Sequence, residues 1–341
     1  MDNQGSKPAS TQSTPAAAGR PRDRAPVQGH IGIVGLGRMG SAMAVNLAAA
    51  GCRVMGYVRR PERAAELTSL GIEAVTDMTA LAGCDFVISM VPDDAAAREV
   101  VFGEARPGGS PGLLAVLKSG AVHVSMSTIS PTASADLATA HGQHNQGYVA
   151  APVLGNPDAA KARELFIIAA GVPTNVERCQ PIFDLLGQRT FVLGGDPAGA
   201  NLVKLASNTM MAMTLEMLGE TIALVRKRGL DAGQVLDIMI STMFGSRAFK
   251  VYGPRIVSQQ HQAGFVFPLA LKDVRLALAE ADAAAVPMPM ASVAHDRLVT
   301  GMARGYAGLD WSGLGRLAAE EAGLGSSAES APAAAPKVKA G

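Results

Sequence analysis

The run Ile31-Gly32-Ile33-Val34-Gly35-Leu36-Gly37-Arg38-Met39-Gly40 constrains this chain more than any other stretch. Residues 31–34 are apolar or glycine with β-branched members, as a strand covered on both faces requires. Gly35, Gly37 and Gly40 then fall in G-x-G-x-x-G spacing, and residues 39–50 are a run of helix formers. The first glycine permits a tight turn, the second lets backbone approach a pyrophosphate, and the third lets helix pack on strand. Strand, turn and helix in that order predict a dinucleotide held by backbone N–H groups at a helix start. Gly35, Leu36, Gly37, Arg38, Met39 and Gly40 are the expected cofactor turn.

Which dinucleotide is argued from the next strand, read at 53–58. A carboxylate at its end would accept from a ribose 2′-hydroxyl. The chain has Val58, Arg59 and Arg60 there, with no acid before Glu62. Paired guanidiniums suit a 2′-phosphate, because the planar fork matches phosphate oxygens. NADP(H) is therefore favoured over NAD(H). The alternative, a solvated turn arginine, applies to Arg60 before Arg59.

Strand candidates at 31–34, 53–58, 85–91, 121–125, 148–150, 165–170 and 190–193, with a short one near 72–75, alternate with helical stretches at 39–50, 61–69, 77–82, 93–101, 131–145 and 174–186. That alternation predicts an α/β Rossmann fold, a doubly wound parallel sheet, over residues 29–193. After Gly195 the pattern is helical only. Residues 199–228 read as one long helix ended by Gly229, followed by helices near 231–241, 246–259, 268–285, 288–304 and 312–322. An all-α C-terminal domain, 194–325, is thus joined to the sheet by a long helix serving both. Its Met-rich surface at 210–217 predicts a homodimer or homotetramer. Residues 1–28 and 326–341, rich in Ala, Ser and Pro, read as disordered tails. No hydrophobic core of a secretory signal is present in the first of them.

Composition narrows the partners. A net charge of +1 from 30 basic and 29 acidic residues leaves no nucleic-acid footprint. No apolar run reaches membrane-spanning length. Cys52, Cys84 and Cys179 lie far apart without metal-ligand spacing and read as buried thiols in a reducing, cytoplasmic compartment. A small-molecule substrate and no metal are expected.

Four groups can carry chemistry. Asn201, Lys204 and Asn208 share a face of the long helix amid apolar residues. A desolvated lysine there could exchange a proton while hydride moves at carbon; an ordinary solvated lysine is the alternative. Ser125-Met126-Ser127-Thr128-Ile129-Ser130-Pro131 follows a strand at its carboxyl end, where ligands sit in open sheets. Ser127 is the preferred substrate contact, and Ser130 a helix cap. Ala151 through Pro157 forms a loop able to hold a carboxylate, or an ordinary turn. Lys272-Asp273 is either a local ion pair or a lysine closing over the site. His123, His141 and His144 show no identifiable partner.

Taken in order, Gly35 to Gly40 with Asn46-Leu47, Met90-Val91-Pro92-Asp93, Ser127-Thr128 before Pro131, Ala151-Pro152-Val153, Lys204 with Asn208, and Lys272-Asp273 resemble the β-hydroxyacid dehydrogenases. That family includes 3-hydroxyisobutyrate dehydrogenases and glyoxylate or succinic semialdehyde reductases. The resemblance spans about residues 30–323. It implies an NAD(P)-dependent dehydrogenase or reductase acting on CH–OH or C=O groups, with Lys204 as catalytic acid and base. It implies that Asn208 orients substrate, Ser127 sits by the substrate carboxylate, Val91, Pro92 and Thr128 line the nicotinamide side, and Lys272 closes over it. Arg59 falls where NADPH-preferring members carry an arginine. Two departures stand out. Ser125 replaces an acid, and Leu154-Gly155-Asn156 replaces the family's Ser-Gly-Gly that grips a carboxylate. The substrate loop Leu154, Gly155 and Asn156 is therefore more apolar than usual. Other expectations compatible with the fold are an imine reductase and a catalytically silent NADP(H)-binding sensor.

Overall fold

Each short apolar run of the first half becomes a strand, because a crossover helix covers the face that neighbouring strands leave open. The computed structural model describes residues 27–105 and 109–325. The readings of 1–26 and 326–341 as disordered tails lie outside the described residues, as does part of the glycine- and proline-rich stretch 103–112. The strands are β1 His30–Val34, β2 Arg53–Tyr57, β3 Glu73–Val75, β4 Phe86–Ser89, β5 Val122–Ser125, β6 Gly147–Ala150, β7 Val153–Leu154, β8 Leu165–Gly171 and β9 Gly187–Val192. The order β3-β2-β1-β4-β5-β6 is parallel throughout. β6 and then β7 run antiparallel along successive stretches of β8, and β9 pairs parallel to β8.

The helices of this half are α1 Arg38–Ala49, α2 Ala64–Ser69, α3 Asp94–Phe102, α4 Leu113–Val116, α5 Pro131–Gln143, α6 Pro157–Lys161 and α7 Pro173–Leu186. Residues 61–63, read as the start of the helix 61–69, and residues 78–83, read as the helix 77–82, are 3₁₀ turns. Two elements correct the reading of 151–157 as a plain loop. Val153 and Leu154 pair with Ile167 and Phe166, and α6 follows at once. The Asn156 side chain accepts from the Ala159 N–H at 2.9 Å, with Pro157 at the first helical position. That Asn-Pro step was the available signal, since both residue types favour helix starts.

The second half is helical: α8 Pro197–Lys227, α9 Ala232–Ser241, α10 Arg247–Ser258, α11 Phe267–Ala283, α12 Pro289–Ala303 and α13 Leu314–Glu321. At 31 residues, α8 spans about 46 Å. The Asp196 carboxylate caps its start, accepting from the Ala198 N–H at 3.0 Å. Gly229, at φ +78°, turns the chain away just beyond its end. Ala200 of α8 belongs to the apolar cluster with Ile129, Tyr148 and Ile168, whereas Leu215, Leu218 and Ile222 lie in the helical core. One helix therefore roots in both cores. A buried ion pair, Arg297 to Glu216 at 2.6 Å, ties α12 to α8, and Arg297 also reaches Glu321 at 2.7 Å. No helix among the described residues is long and apolar enough to cross a membrane.

Candidate functional site

Two adjoining cavities lie at the carboxyl ends of the parallel strands, where open α/β sheets leave a crevice. The larger, about 640 Å³, runs between the sheet and the helices. The smaller, about 350 Å³, lies against the end of β2. Gly37, Met90, Val91 and Pro92 line both, so the two form one groove.

The glycine turn is built for close approach. A Cβ on Gly35, whose φ is +95°, would stand 2.2 Å from the Met90 carbonyl oxygen, and one on Gly40 would stand 2.1 Å from the Gly35 oxygen. A Cβ on Gly37 would meet nothing within 4 Å. The turn is closed on the protein side and open on the cavity side. Gly37 also caps α1 without any side-chain bond, so the first N–H groups of that helix remain for an anion. The residues present fit the pyrophosphate of a dinucleotide. Arg38 reaches across to the helical half, its Nη1 donating to the Ala263 carbonyl at 2.6 Å.

The smaller cavity is lined by Gly35 and Leu36 and by three arginines, Arg59, Arg60 and Arg63. Arg63 went unread in the sequence; its Nη1 donates to the Leu36 carbonyl at 2.8 Å, which fixes the turn from behind. Arg59 lies 3.7 Å from Glu99. A phosphate placed in this cavity would meet more positive than negative charge.

In the larger cavity the structure brings together Arg38, Met39, Val91, Pro92, Thr128, Leu154, Gly155, Asn156, Lys204, Asn208 and Lys272, with Asp273. Lys204 is only 7% exposed, and its Nζ donates to Asn208 Oδ1 at 3.0 Å. Asn208 Nδ2 in turn donates to Asp273 Oδ2 at 2.5 Å. Lys272 donates to the Thr128 carbonyl, and its ammonium lies 2.8 Å from Asp273 Oδ1, a charge contact off the hydrogen-bond direction. The pair is a local ion pair, and both residues line the cavity. Burial pushes the Lys204 ammonium down to about 8. The Asp273 carboxylate opposes that shift and Lys272 adds to it. Asp273 thus acts on the lysine from α11, 69 positions away, which helical spacing alone could not reveal.

Other candidates point elsewhere. Ser127 is fully buried and does not line the cavity; its hydroxyl accepts from the Val91 N–H at 2.8 Å and donates to the Ser89 carbonyl at 3.3 Å. Here it shapes the Val91-Pro92 wall from behind. Ser130 caps α5, accepting from the Ala133 N–H, and donates to Asp94 at 2.6 Å. Asn201 is buried between the halves, donating to the Ile129 carbonyl at 3.3 Å.

Two of the three histidines read as partnerless, His123 and His141, are in fact paired, while His144 only meets the Ala140 carbonyl on its own helix. His123 Nδ1 lies 2.9 Å from His141 Nε2, His123 Nε2 lies 2.8 Å from Ser89 Oγ, and His141 Nδ1 lies 2.8 Å from Gln146 Oε1. Gln146 Nε2 donates to two carbonyls, so its oxygen must accept from His141 Nδ1–H. His141 Nε2 then accepts from His123 Nδ1–H, and Ser89 donates to His123 Nε2. Every tautomer in this chain follows from that one amide. Burial holds both rings neutral, with His141 down to about 4 and His123 well below the usual histidine range. The three cysteines are free and buried.

Residues 30–194 match the family model described as the NAD binding domain of 6-phosphogluconate dehydrogenase. Residues 198–318 match that described as the NAD-binding region of NADP-dependent 3-hydroxyisobutyrate dehydrogenase. Among curated relatives, the uncharacterized oxidoreductase YfjR of Bacillus subtilis is 37% identical, covering 83% of this chain and 98% of its own length. The 2-hydroxy-3-oxopropionate reductase of Escherichia coli is 33% identical over 83% of this chain and 95% of its own. The solved 3-hydroxyisobutyrate dehydrogenase of Mycobacterium tuberculosis superposes with a TM-score of 0.76 at 25% identity, covering 85% of this chain and 98% of that one. With sheet, groove and long helix all accounted for, the chain belongs to the β-hydroxyacid dehydrogenase family of NAD(P)-dependent oxidoreductases.

Proposed function

We propose that this enzyme transfers hydride between NADP(H) and a carbonyl or hydroxy compound, with Lys204 as the general acid and base. The observation that carries the reading is a buried lysine on the cavity wall, hydrogen-bonded through Asn208 to the Asp273 carboxylate and poised at about 8. A group poised near the working pH serves both protonation states. Bound NADP(H) supplies or receives the hydride. In reduction, the Lys204 ammonium gives its proton to the carbonyl oxygen; in oxidation, the neutral amine takes it from the hydroxyl. Asn208 fixes the Nζ and leaves its remaining protons for substrate. Reduction should therefore weaken as pH rises through about 8, and oxidation should strengthen over the same range.

Within this reading the Gly35–Gly40 turn holds the pyrophosphate, Val91, Pro92 and Thr128 flank the nicotinamide, and Lys272 stands over it. Arg59, Arg60 and Arg63 in the smaller cavity support NADP(H) over NAD(H). An iminium substrate fits poorly, because two lysines against one aspartate leave the wall with excess positive charge. Exposed Val203, Met210, Met217 and Leu224 recur every seven residues along α8, which supports a second copy of the chain on that face. Sedimentation as a monomer at micromolar concentration would remove the oligomer. Lys204→Ala tests the chemistry: turnover should fall at least about a hundredfold, with nucleotide affinity kept. A near-normal rate in that variant removes the lysine from the mechanism, and nucleotide binding without turnover of any carbonyl by the unmodified enzyme would favour a sensor.

A further inference from the structure

The cations on the wall of the larger cavity are Arg38, Lys204, Arg247 and Lys272. Three of them already have protein partners with which a substrate carboxylate would share the charge. Arg38 donates to the Ala263 carbonyl, Lys272 to the Thr128 carbonyl with Asp273 beside it, and Arg247 of α10 lies 3.9 Å from Glu164. The fourth, Lys204, is the proton donor of the proposed reaction and faces the reacting oxygen. The loop between β6 and α6 adds no charge: Leu154 brings hydrocarbon, and Asn156, whose oxygen caps α6, leaves only a neutral amide NH₂.

What remains of the wall is apolar. Leu154 and Phe166 lie side by side across β7 and β8. Facing the cavity from the helical half are Tyr252, Phe265 and Trp311, packed edge to face, with ring centroids 4.7 Å apart for Phe265 and Trp311 and 5.9 Å for Tyr252 and Trp311. Val251 adds a branched aliphatic surface. The hydroxyl-bearing residues of this wall, Thr128, Ser207 and Tyr252, are neutral. The cavity of about 640 Å³ also takes in Gly37, Val91, Pro92 and Thr128, so cofactor and substrate would share it, with the apolar wall on the substrate side.

We infer that the substrate is a neutral carbonyl compound with a bulky apolar substituent, branched, alicyclic or aromatic, rather than a short aldehyde acid. The inference rests on the proposed hydride transfer for its reaction, though not for its binding. The step balances: hydride from NADPH adds to the carbonyl carbon, the Lys204 proton goes to the oxygen, and the products are an alcohol and NADP⁺. Each buried methylene is worth about fourfold in affinity, so a ring of six carbons against this wall should dominate the preference.

Two measurements test it. In NADPH-dependent turnover, cyclohexanecarbaldehyde should exceed succinic semialdehyde in kcat/KM at least about tenfold, and Leu154→Ser should shrink that ratio several-fold. A preference for succinic semialdehyde in the unmodified enzyme overturns the inference, as does a ratio unmoved by Leu154→Ser. The second measurement needs no chemistry. Trp311 is the only tryptophan in the sequence and lines the cavity, so its fluorescence reports occupancy directly. Unreactive cyclohexanecarboxamide should give a saturable change at concentrations where glycolamide gives none, weakened at least threefold by Leu154→Ser. That response in an enzyme turning over no carbonyl keeps the apolar site and sinks the hydride-transfer reading. No response, or an equal one to glycolamide, overturns the inference whatever the turnover shows.

Discussion

The two halves that meet at the groove serve it differently. The sheet half presents mainly backbone: a glycine turn, an uncapped helix start and the ends of parallel strands. The helical half presents side chains: Lys204 and Asn208 from α8, Lys272 and Asp273 from α11, and Phe265 and Trp311 from the segments around them. Backbone recognition constrains residue type by exclusion, because a side chain at the wrong place blocks the ligand. Side-chain recognition constrains position in space, which sequence spacing reports only within one helix.

Breaking the backbone side should cost most. Gly40→Val puts a branched Cβ where even a single carbon would stand 2.1 Å from the Gly35 oxygen, and backbone cannot step aside as a flexible side chain does. Nucleotide affinity should fall at least about a hundredfold, the loss expected when two or more backbone hydrogen bonds to a charged group are misplaced. Calorimetric titration with NADPH checks it; a Kd within threefold of the parent would show that the turn does not bear the pyrophosphate.

The halves also differ in how burial treats their histidines. The sheet half keeps His123 and His141 neutral as a bonded pair, while the helical half keeps His261 alone, bonded to Ser312 at 3.0 Å and pushed down to about 4. For a histidine whose folded value lies below the unfolded one, the unfolded chain takes up protons first as pH falls. Stability is therefore complete above about 6.5 and lost on descending toward 4. His141 alone should cost about 2 kcal/mol between pH 7 and pH 5. Thermal melts across that range should show a falling Tm, and His141→Gln should flatten the slope. A pH-independent Tm would contradict the buried neutral pair.

The same contrast explains what could be read in advance. The glycine turn, the alternation of strand and helix and the long helix are local patterns, and each was legible because neighbouring residues alone impose it. Lys204 with Asn208 was legible as a shared helix face. Asp273 was visible only as half of a local pair, since its contact with Asn208 spans 65 positions. Ser127 was rightly placed at a strand end, but its hydroxyl points to Val91 and Ser89 on the neighbouring strand, and the direction of a side chain is decided by packing. The histidine pair escaped for a like reason: a strand residue and a helix residue meet only after β5 and α5 fold together. Val153-Leu154 was lost because two residues are too few to show a period.

Asp273→Asn sharpens the side-chain half of the comparison. It keeps the shape and an acceptor for Asn208 while removing the charge that raises the Lys204 ammonium against its burial. The rate of carbonyl reduction should drop about tenfold, the worth of one charge-assisted hydrogen bond. More tellingly, the alkaline limb of its pH profile should move to lower pH, because nothing then offsets burial and Lys272. A profile that falls uniformly without moving would mean that Asp273 only shapes the wall.

The smallest effect should come from the smaller cavity, where the arginines proposed to read the nucleotide, Arg59 and Arg60, are exposed. Arg59 keeps most of its surface in solvent and shares its charge with Glu99 at 3.7 Å. Screened pairs of this kind contribute little individually, so the joint variant Arg59→Ser and Arg60→Ser should lower the NADPH-to-NADH ratio of kcat/KM by only about fivefold, mainly through KM. Arg63 is left in place because its bond to the Leu36 carbonyl braces the glycine turn, and removing it would confound recognition with backbone support. Equal efficiency with the two nucleotides in the unmodified enzyme would defeat the NADP(H) preference outright. A preference that survives the double change would instead put the 2′-phosphate on Arg63, and the bracing residue would then read the cofactor as well.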